Sequence, residues 1–411
     1  MSSSPYLQTS APDFTIDDSL ETWIIQIRRH LHKYPETSYD EYRSSEFIEA
    51  KLDELGIDAT GGHGGTGVIA FIGDQGSDGD CVGLRADMDA LPITEQTNLE
   101  FRSVHDGIMH ACGHDGHVAM LLGAAAVLKK ISLAGDRAKL IFQPAEEHGN
   151  GAAQLVREGV LDNVQAIFGG HIDTHFKSGE ITVDEGLICA FADPFQIKIT
   201  GRGGHAARPH EETDALVAAS SLVMIIQTLV SREVDPNKSQ VITVGSFQAG
   251  TVQNVIADEA VLKGTVRSTD EISREKTMCG LKRVVHSIET MYDVHAEIVF
   301  EQGLPAVINS SQAAEIARIA AWDVTSVDRV ISQGYPSLGG EDFSFYQQYV
   351  EGCMVRFGAM LPGGAGPAHS PTFDFDERCL KYGAAWYASA AWRWLYSMSR
   401  LKVSPGHISP N

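Results

Sequence analysis

The stretch Val82–Pro92 reads VGLRADMDALP, and it sets the expectation for the fold. Its first residues form a short apolar run of the kind that predicts a buried strand. Asp87 and Asp89 follow the run, and because side chains alternate along an extended chain, their two carboxylates face the same side. The pattern therefore predicts a strand that delivers two acidic side chains to one place.

Three more apolar runs lie around this stretch, and polar side chains follow two of them. The runs are Val68–Ile72, Leu140–Phe142 and Ala166–Phe168. Glu146 and Glu147 come after the second run, and His171 comes after the third. Apolar residues at helical spacing predict helices at Leu20–Leu31, Phe47–Leu55, Val118–Leu128 and Ala152–Val156. Strands that alternate with helices indicate an α/β layer fold, in which ligands bind beyond the carboxyl ends of the strands.

The order of elements changes from Phe195 onward. The expected series is strand 195–200, helix 215–229, strands 241–247 and 260–267, helix 272–291 and strand 295–300. This order is typical of a ferredoxin-like unit, here inserted in the larger domain. The chain then returns to mixed α/β structure, with a strand at Met354–Phe357 and a final helix around Tyr382–Tyr396.

The composition excludes some classes of partner. The chain has 411 residues, 43% of them hydrophobic, which is enough for a large core and predicts two domains. Its 32 Lys and Arg residues against 54 Asp and Glu residues give a net charge of -22, which repels nucleic acid and anionic lipid. We therefore expect no nucleic-acid partner and no membrane association.

The sequence also bears on the compartment. Met1–Asp18 has neither a basic start nor an apolar run, so no secretory signal is expected, and no apolar stretch is expected to span a membrane. The cysteines show no close pairing, which is typical of a reduced intracellular protein. They are Cys81, Cys112, Cys189, Cys279, Cys353 and Cys379. The expected compartment is the cytoplasm.

The segment Met109–His117 reads MHACGHDGH and brings Cys, His and Asp together at the start of a helix. Thiolate, imidazole and carboxylate groups bind zinc, manganese and related ions. On its own the segment also fits a plain helix start, with Asp115 as a favourable charge and Cys112 buried. The other clusters favour the metal site, because the adjacent acids Glu146 and Glu147 can point one carboxylate to a metal and the other to a water.

Two single histidines are further candidates for such a site. His171 follows a Gly-Gly pair, and His369 lies in the turn-rich segment Gly366–Pro371. A lone histidine is more often structural than a ligand, so the case for both residues rests on the neighbouring clusters.

The ordered motifs of the chain are similar to those of peptidase family M20, in the amidohydrolase branch of aminoacylases, hippurate hydrolases and IAA-amino acid hydrolases, with carboxypeptidase G-type relatives. The resemblance covers nearly the whole chain. The motifs that carry it are RRHLH (28–32) with Pro35–Glu36, LRADMDALP (84–92), CGHDGH (112–117), QPAEE (143–147), GRGGHAA (201–207), NVI (254–256), GEDF (340–343) and HSP (369–371).

The resemblance implies a fold and a metal centre. The fold is a mixed-sheet, zinc-peptidase-like catalytic domain, residues 1–190 and 303–411, with an inserted ferredoxin-like lid and dimerisation domain, residues 191–302. Two divalent ions are implied, zinc or manganese, with cobalt and nickel as alternatives. The residues that match metal ligands are Cys112, His114, Glu147, His171 and His369. Glu146 matches the general base, and Asp89 matches a second catalytic acid that orients the base or a metal-bound imidazole.

The resemblance also assigns roles within the inserted domain. His205 matches a lid histidine that reaches the active site of the partner subunit of a homodimer and stabilises the oxyanion. Without the resemblance, a histidine in this Gly-rich segment would be interpreted as a turn residue. Asn254 and Arg267 match residues that bind the substrate carboxylate, for which a guanidinium fork is well shaped.

The function implied is hydrolysis of the amide bond of an N-acyl amino acid by a metal-activated water, with Glu146 as base. A dipeptidase or carboxypeptidase with the same metal centre is the nearest alternative. A metal-binding or regulatory protein without activity is another, and the intact Glu146 argues against it. The segment Ile172–His175 departs from the apolar stretch common in the branch, which leaves the substrate preference open; we expect Asp173 and His175 to be solvated loop residues.

Overall fold

A computed structural model of the protein describes residues 11–73, 79–133 and 135–403. The first ten residues, on which part of the expectation about a signal segment rests, lie outside the described residues. The described chain divides into two compact units. The first runs up to Gly186 and takes up Ile308–Gly334 and the chain from Asp342 onward, and the second comprises Leu187–Val307 with Tyr335–Glu341.

The helices begin and end close to the signals expected from the sequence. Asp17 caps the first helix by accepting hydrogen bonds from the backbone N–H groups of Ser19 and Leu20. Gly56, with a φ of +62°, follows the second helix in the left-handed conformation typical of a helix end. The helices are α1 (Asp18–Lys33), α2 (Tyr42–Glu54), α3 (His114–Leu128), α4 (Gly151–Arg157), α5 (Ala215–Glu233), α6 (Glu271–Tyr292), α7 (Ser311–Val324), α8 (Ser344–Gln347) and α9 (Cys379–Val403).

The strands are more numerous than the sequence predicts, because several have only two to four residues. They are β1 (Ala59–His63), β2 (Gly67–Gly73), β3 (Cys81–Asp87), β4 (Arg137–Gln143), β5 (Val164–Lys177), β6 (Ile181–Thr182), β7 (Gly186–Cys189), β8 (Phe191–Thr200), β9 (Gly204–His205), β10 (Gln240–Ala249), β11 (Val255–Ile256), β12 (Glu259–Ser268), β13 (His295–Phe300), β14 (Val307–Asn309), β15 (Val330–Ile331) and β16 (Glu351–Met360).

The first unit is built on an eight-stranded mixed sheet with the order β1-β2-β4-β3-β5-β16-β6-β15. The central strands β4, β3, β5 and β16 run parallel, whereas β2 pairs antiparallel with β4. Every residue of β3 and of α3 is buried, as expected for central elements covered on all sides. The predicted mixed α/β fold is thus confirmed, and the carboxyl ends of β3 and β4 lie side by side.

Strand β5 is longer than the sequence predicts, and this corrects two expectations. It pairs in parallel with β16 as far as Lys177, so His171 lies inside the strand rather than after it. Asp173 and His175 belong to the same strand and are not loop residues, although the His175 side chain is 86% exposed and forms an ion pair with Asp173 at 2.7 Å. The pairing with β16, which is remote in sequence, extends the strand beyond its apolar run.

The second unit contains a four-stranded antiparallel sheet with the order β10-β12-β8-β13. Helices α5 and α6 share one hydrophobic core with this sheet, so both lie on the same face. The predicted succession of strand, helix, two strands, helix and strand is present. The last strand, β13, has the predicted bounds His295–Phe300.

Helix α5 corrects the expectation that no stretch is long enough to span a membrane. An 18-residue window of this 19-residue helix has a mean hydropathy of 1.6, so length and composition alone would allow a span. One side of the helix packs into the core of the second unit through residues such as Leu222, Ile226 and Leu229. Leu216 and Met224 are exposed on the helix. The high hydropathy of α5 thus comes from apolar residues that pack on the sheet and from further apolar residues that are exposed. Hydropathy alone does not distinguish such a helix from a membrane span.

Candidate metal centre

The first unit brings the five predicted ligands together from four segments of the chain. Cys112 Sγ lies 3.5 Å from His171 Nε2. Glu147 Oε1 lies 3.9 Å from His114 Nε2 and 3.3 Å from His369 Nε2. Overlapping groups of these residues, each with ligand atoms within 4.8 Å of one another, connect all five with Glu146. The arrangement is a continuous cluster of thiol, imidazole and carboxylate groups.

The start of α3 sets two of these ligands. Gly113 precedes the helix with a φ of +92°, a left-handed conformation that an L side chain rarely adopts. A Cβ atom at this position would also lie 3.3 Å from Ile172 of the neighbouring strand. The glycine thus allows the chain to turn sharply between Cys112 and His114 and to lie close to β5.

Two histidine rings are held in the tautomer that a metal ligand needs. The Nδ1 atom of His114 lies 2.9 Å from the backbone carbonyl oxygen of Asp89, and the Nδ1 atom of His171 lies 2.6 Å from that of Ile172. A carbonyl oxygen only accepts, so each Nδ1 carries a proton, and Nε2 is the ring nitrogen that remains to bind a metal. Burial, together with the nearby His117 ring and the Arg356 guanidinium, lowers the pKa of His171 well below its ordinary value, which favours the neutral, ligating form.

The donor set fits divalent ions. His114 Nε2 and Glu147 Oε1 are buried without any hydrogen-bond partner among the described residues. Burial raises the pKa of the Cys112 thiol to about 12, so a thiolate at this position requires a cation beside it. Burial lowers the pKa of His114, but the Asp87 carboxylate and the hydrogen bond with Asp89 outweigh burial and raise it well above its ordinary value. The acidic surroundings therefore stabilise positive charge at this place.

His117, which belongs to the same segment, is unavailable as a ligand. Its Nε2 accepts a hydrogen bond of 2.8 Å from the backbone N–H of Ile172. Its Nδ1 lies 2.5 Å from Asp87 Oδ1 and donates to it. Both ring nitrogens of His117 are thus engaged outside the cluster, whereas His114, His171 and His369 present their Nε2 atoms to the other members of the cluster.

Asp87 is held behind the cluster by a buried arginine. Arg85 donates to Asp87 Oδ2 at 2.7 Å, to Asp342 Oδ1 at 2.9 Å and to the side-chain oxygen of Gln143 at 2.7 Å. Burial raises the pKa of Asp87, but the Arg85 guanidinium and the neighbouring imidazoles of His114 and His117 outweigh it and hold the pKa well below the ordinary range. Sequence reasoning did not assign this network, although Arg85 and Asp342 lie in two of the family motifs.

Asp89 has the contacts of a positioning residue. It is 1% exposed, and its Oδ1 and Oδ2 atoms accept the backbone N–H groups of Glu146 and Glu147 at 3.1 and 3.0 Å. Oδ2 also accepts the Ser38 hydroxyl at 2.6 Å, and Oδ1 lies 3.2 Å from His114 Nδ1. One buried carboxylate thus fixes the ring of the candidate ligand His114 and the loop that carries Glu146.

A buried ion network lies beside the start of α3 and was also not assigned from the sequence. Arg28 and His32 of α1 bind Asp115 Oδ2 at 3.0 and 2.9 Å. Arg28 additionally pairs with Asp374 and Glu377. The segment RRHLH thereby ties α1 to the metal-ligand segment, which gives this motif a structural role.

The predicted lid residues lie in the second unit. His205 in β9 pairs with Val255 of β11, next to Asn254, and its Nδ1 accepts the backbone N–H of Ala207 at 3.1 Å. The ring proton is therefore on Nε2, which leaves an exposed donor. Arg267 in β12 is half-buried, and burial lowers its pKa despite the charge of Asp193.

The carboxylate of Asp193 does not pair with Arg267. Both of its oxygens are bound by Arg274 at 2.7 Å. Within the described residues, Arg267 makes no ion pair. A partly desolvated guanidinium without a carboxylate partner is suited to bind an anionic ligand.

The fold and the donor set define a metal-binding protein of the mixed α/β class. Comparisons with known proteins identify its family. Residues 83–393 match Peptidase family M20/M25/M40. The chain is 39% identical over 388 residues to the N-acetyl-L-cysteine deacetylase of Bacillus subtilis, covering 94% of this chain and 91% of that protein. It is 40% identical over 381 residues to thermostable carboxypeptidase 1 of Saccharolobus solfataricus, covering 90% and 95%.

A solved structure agrees with these relatives. The structure of a dinuclear metal-binding peptidase of the M20 family from Bacillus subtilis superposes with a TM-score of 0.79 and 35% identity, covering 92% of this chain and 99% of that chain. The chain therefore belongs to peptidase family M20/M25/M40. It is a metal-dependent hydrolase of amide bonds, as the sequence predicts.

Proposed function

We propose that the protein hydrolyses the amide bond of N-acyl amino acids at a centre that holds two divalent ions. The ligands are Cys112, His114, Glu147, His171 and His369. The observation that supports this proposal most directly is the pair of buried atoms His114 Nε2 and Glu147 Oε1, neither of which makes a hydrogen bond within the described part of the chain. The similarity to a deacetylase of an N-acetyl amino acid supports the substrate class.

The ions, when bound, would acidify a water and polarise the amide carbonyl. Glu146 is placed beside Glu147 by a loop whose backbone is held by Asp89, and we assign the two adjacent carboxylates different tasks. Glu146 takes a proton from the attacking water and returns it to the leaving nitrogen, which typically contributes roughly 100- to 10,000-fold. Asp89 acts through other groups, because it orients the His114 ring and the loop.

The second unit is proposed to work as a ferredoxin-like lid and dimerisation domain. Arg267 and Asn254 bind the carboxylate of the amino-acid part of the substrate, and His205 donates to the oxyanion in the partner subunit. Exposed apolar residues of the second unit support a homodimer. They are Leu216, Val217 and Met224 on α5, and Phe247 on the edge strand β10. Among the residues that the structure describes, one edge of the ten-residue strand β10 is unpaired and offers backbone groups for pairing with a second copy.

Zinc and manganese are the proposed native ions. A cysteine ligand favours a borderline-soft ion such as zinc, whereas the carboxylates also suit manganese. The cysteines of the chain are all unpaired, which fits the reducing conditions of the cytoplasm, the proposed compartment.

A second candidate function is carboxypeptidase or dipeptidase activity at the same centre. It is favoured by the similarity to thermostable carboxypeptidase 1. Purified protein loaded with zinc or manganese should be screened against N-acetyl and N-benzoyl amino acids, dipeptides and longer peptides. Preference for the N-acyl amino acids supports the first proposal, preference for peptides with a free amino group supports the second, and no hydrolysis of any of them would contradict both.

A further inference from the structure

Glu41 is a buried carboxylate outside the metal cluster that contacts the loop of the proposed base. It is 0% exposed, and its Oε1 accepts the backbone N–H of Ala145 at 2.9 Å. Its Oε2 contacts the hydroxyl of Thr66. Ala145 directly precedes Glu146, so Glu41 holds the residue from which the catalytic loop starts.

The side chain of Glu41 does not cap the helix that follows it. It stands at the N-cap position of α2, but its side chain makes no capping hydrogen bond. Glu36 serves that helix instead, because its carboxylate accepts the backbone N–H groups of Arg43 and Ser44 at 3.3 and 2.8 Å. The Glu41 side chain is therefore committed to Thr66 and Ala145.

The backbone that Glu41 holds is strained. Ala145 has a φ of +54°, in the left-handed region that residues with a Cβ rarely adopt. Such a conformation persists only where the surroundings determine it, and strained residues of this kind are concentrated at functional sites. The next two amides, of Glu146 and Glu147, are held by Asp89. Three successive N–H groups thus donate to two buried carboxylates.

The two carboxylates are joined through one short turn. Ser38 donates its hydroxyl to Asp89, while Glu41, three residues later, accepts from Ala145. Tyr39, between them, also has a positive φ, of 68°. The turn at residues 38–41 therefore supports the loop in two ways. Glu41 binds the amide of Ala145 directly, and Ser38 binds Asp89, which holds the next two amides.

We propose that Glu41 is a positioning residue for amide hydrolysis, which holds Ala145 in its left-handed conformation and thereby aims the Glu146 carboxylate. The inference rests on the proposed role of Glu146 as base. It requires a hydrogen-bond acceptor at Glu41 and not a negative charge. Misplacement of a catalytic group by about 1 Å can cost about 100-fold in rate, so turnover is sensitive to this contact.

The test uses full-length, metal-loaded protein and the best N-acetyl amino acid from the substrate screen. Glu41→Met removes the acceptor at similar size and should lower kcat about 10- to 100-fold with little change in KM or in the ion content. Glu41→Gln should retain most of the turnover, because its amide oxygen can accept from Ala145 while its NH2 group donates to Thr66. Thr66→Val, which keeps the contact between Glu41 and Ala145, is the matched control and should keep kcat.

A double variant tests the strain directly. Glycine adopts a positive φ without penalty, so Ala145→Gly added to Glu41→Met should recover part of the lost turnover. If Glu41→Met does not fold, Glu41→Asp takes its place, because it keeps the charge but is too short for the 2.9 Å contact and should lose turnover likewise.

Some outcomes overturn the proposal. A Glu41→Met or Glu41→Asp enzyme with unchanged kcat per folded, metal-loaded subunit, or a Glu41→Gln enzyme as inactive as Glu41→Met, would show that Glu41 has only a structural or a charge-dependent role. Glu146→Gln, measured in parallel, distinguishes a failure of the proposed base from a failure of the positioning role of Glu41. If Glu146→Gln stays active, the assignment of the base fails; if it is inactive while the Glu41 variants are fully active, only the positioning role fails.

Discussion

His114 Nε2 and Glu147 Oε1 lie 3.9 Å apart in the first unit, and both atoms are buried without a hydrogen-bond partner among the described residues. An unsatisfied buried polar group costs about 1–3 kcal/mol, and more when the group is charged. Two such atoms side by side, with Cys112 and His369 in the same cluster, represent a cost that bound cations would remove. The geometry therefore links metal binding to both activity and stability.

The first prediction is that activity and stability both depend on divalent ions. Chelation followed by dialysis should abolish hydrolysis and lower the melting temperature, since an ion that binds only the folded protein stabilises it. Zinc or manganese added back should restore both. Metal analysis of the dialysed sample is the control, and full activity in verified metal-free protein would refute the proposed centre.

The second prediction separates the proposed base from the proposed ligands. Glu146→Gln should keep the ion content but collapse turnover, because the change preserves the shape of the side chain and removes its ability to take a proton. Cys112→Ala should instead lose metal, because it removes a ligand. Ion content per subunit and kcat, measured on the same preparations, distinguish a base from a ligand. The reverse pattern would mean that the two roles are assigned wrongly.

Sequence reasoning predicted the α/β class and the family, because both follow from local patterns. Apolar runs marked the strands, and polar residues after them marked the edge where the ligands meet. It did not predict the full length of β5, because the strand is extended by pairing with β16, about 180 residues away along the chain. Pairings between distant segments leave no mark in a local pattern.

The roles of the supporting residues were likewise hidden in the sequence. His117 lies in the predicted ligand segment, but only the structure shows that Asp87 and the Ile172 amide engage both of its nitrogens. Glu41 lies about 100 residues before the loop it holds. A side chain that acts on a remote backbone N–H carries no recognisable spacing, so such residues are found only once the fold is known.

The third prediction concerns the pH dependence of stability. In His32, burial lowers the pKa, but hydrogen bonds with Asp115 and Glu95 outweigh it and raise the pKa above the ordinary value of 6.5. A raised pKa means that the contribution of the charged ring is complete below about pH 6.5 and is lost as the pH rises through the raised value. His32→Asn should therefore lower the melting temperature more at pH 6 than at pH 9.

His30 provides a control of opposite sign on the same helix. Burial, with the charges of Lys51 and Lys33, lowers its pKa, so protonation of His30 disfavours the folded state as the pH falls. The matched substitution His30→Asn should thus be less destabilising at low pH than at high pH. Equal effects of His32→Asn at both pH values would show that the ion network does not hold His32 charged.

The last prediction concerns His205. Because its Nδ1 accepts from Ala207, the exposed Nε2 carries the proton and can donate. If it donates to the oxyanion, His205→Ala should lower kcat about 100- to 1,000-fold while changing substrate binding little, because the negative oxygen exists only near the transition state. A small effect on kcat would indicate a turn residue.

Mixed dimers decide whether His205 acts on the partner subunit. Glu146→Gln and His205→Ala subunits are each expected to be inactive alone. If His205 acts in trans, a mixed dimer has one site that combines the intact Glu146 of one subunit with the intact His205 of the other, and that site should be active. If His205 acts in cis, every site of the mixed dimer lacks one of the two residues. Mixed dimers that form but recover no activity would therefore exclude the action in trans, whereas recovery in proportion to the mixed fraction would establish both the dimer and the shared site.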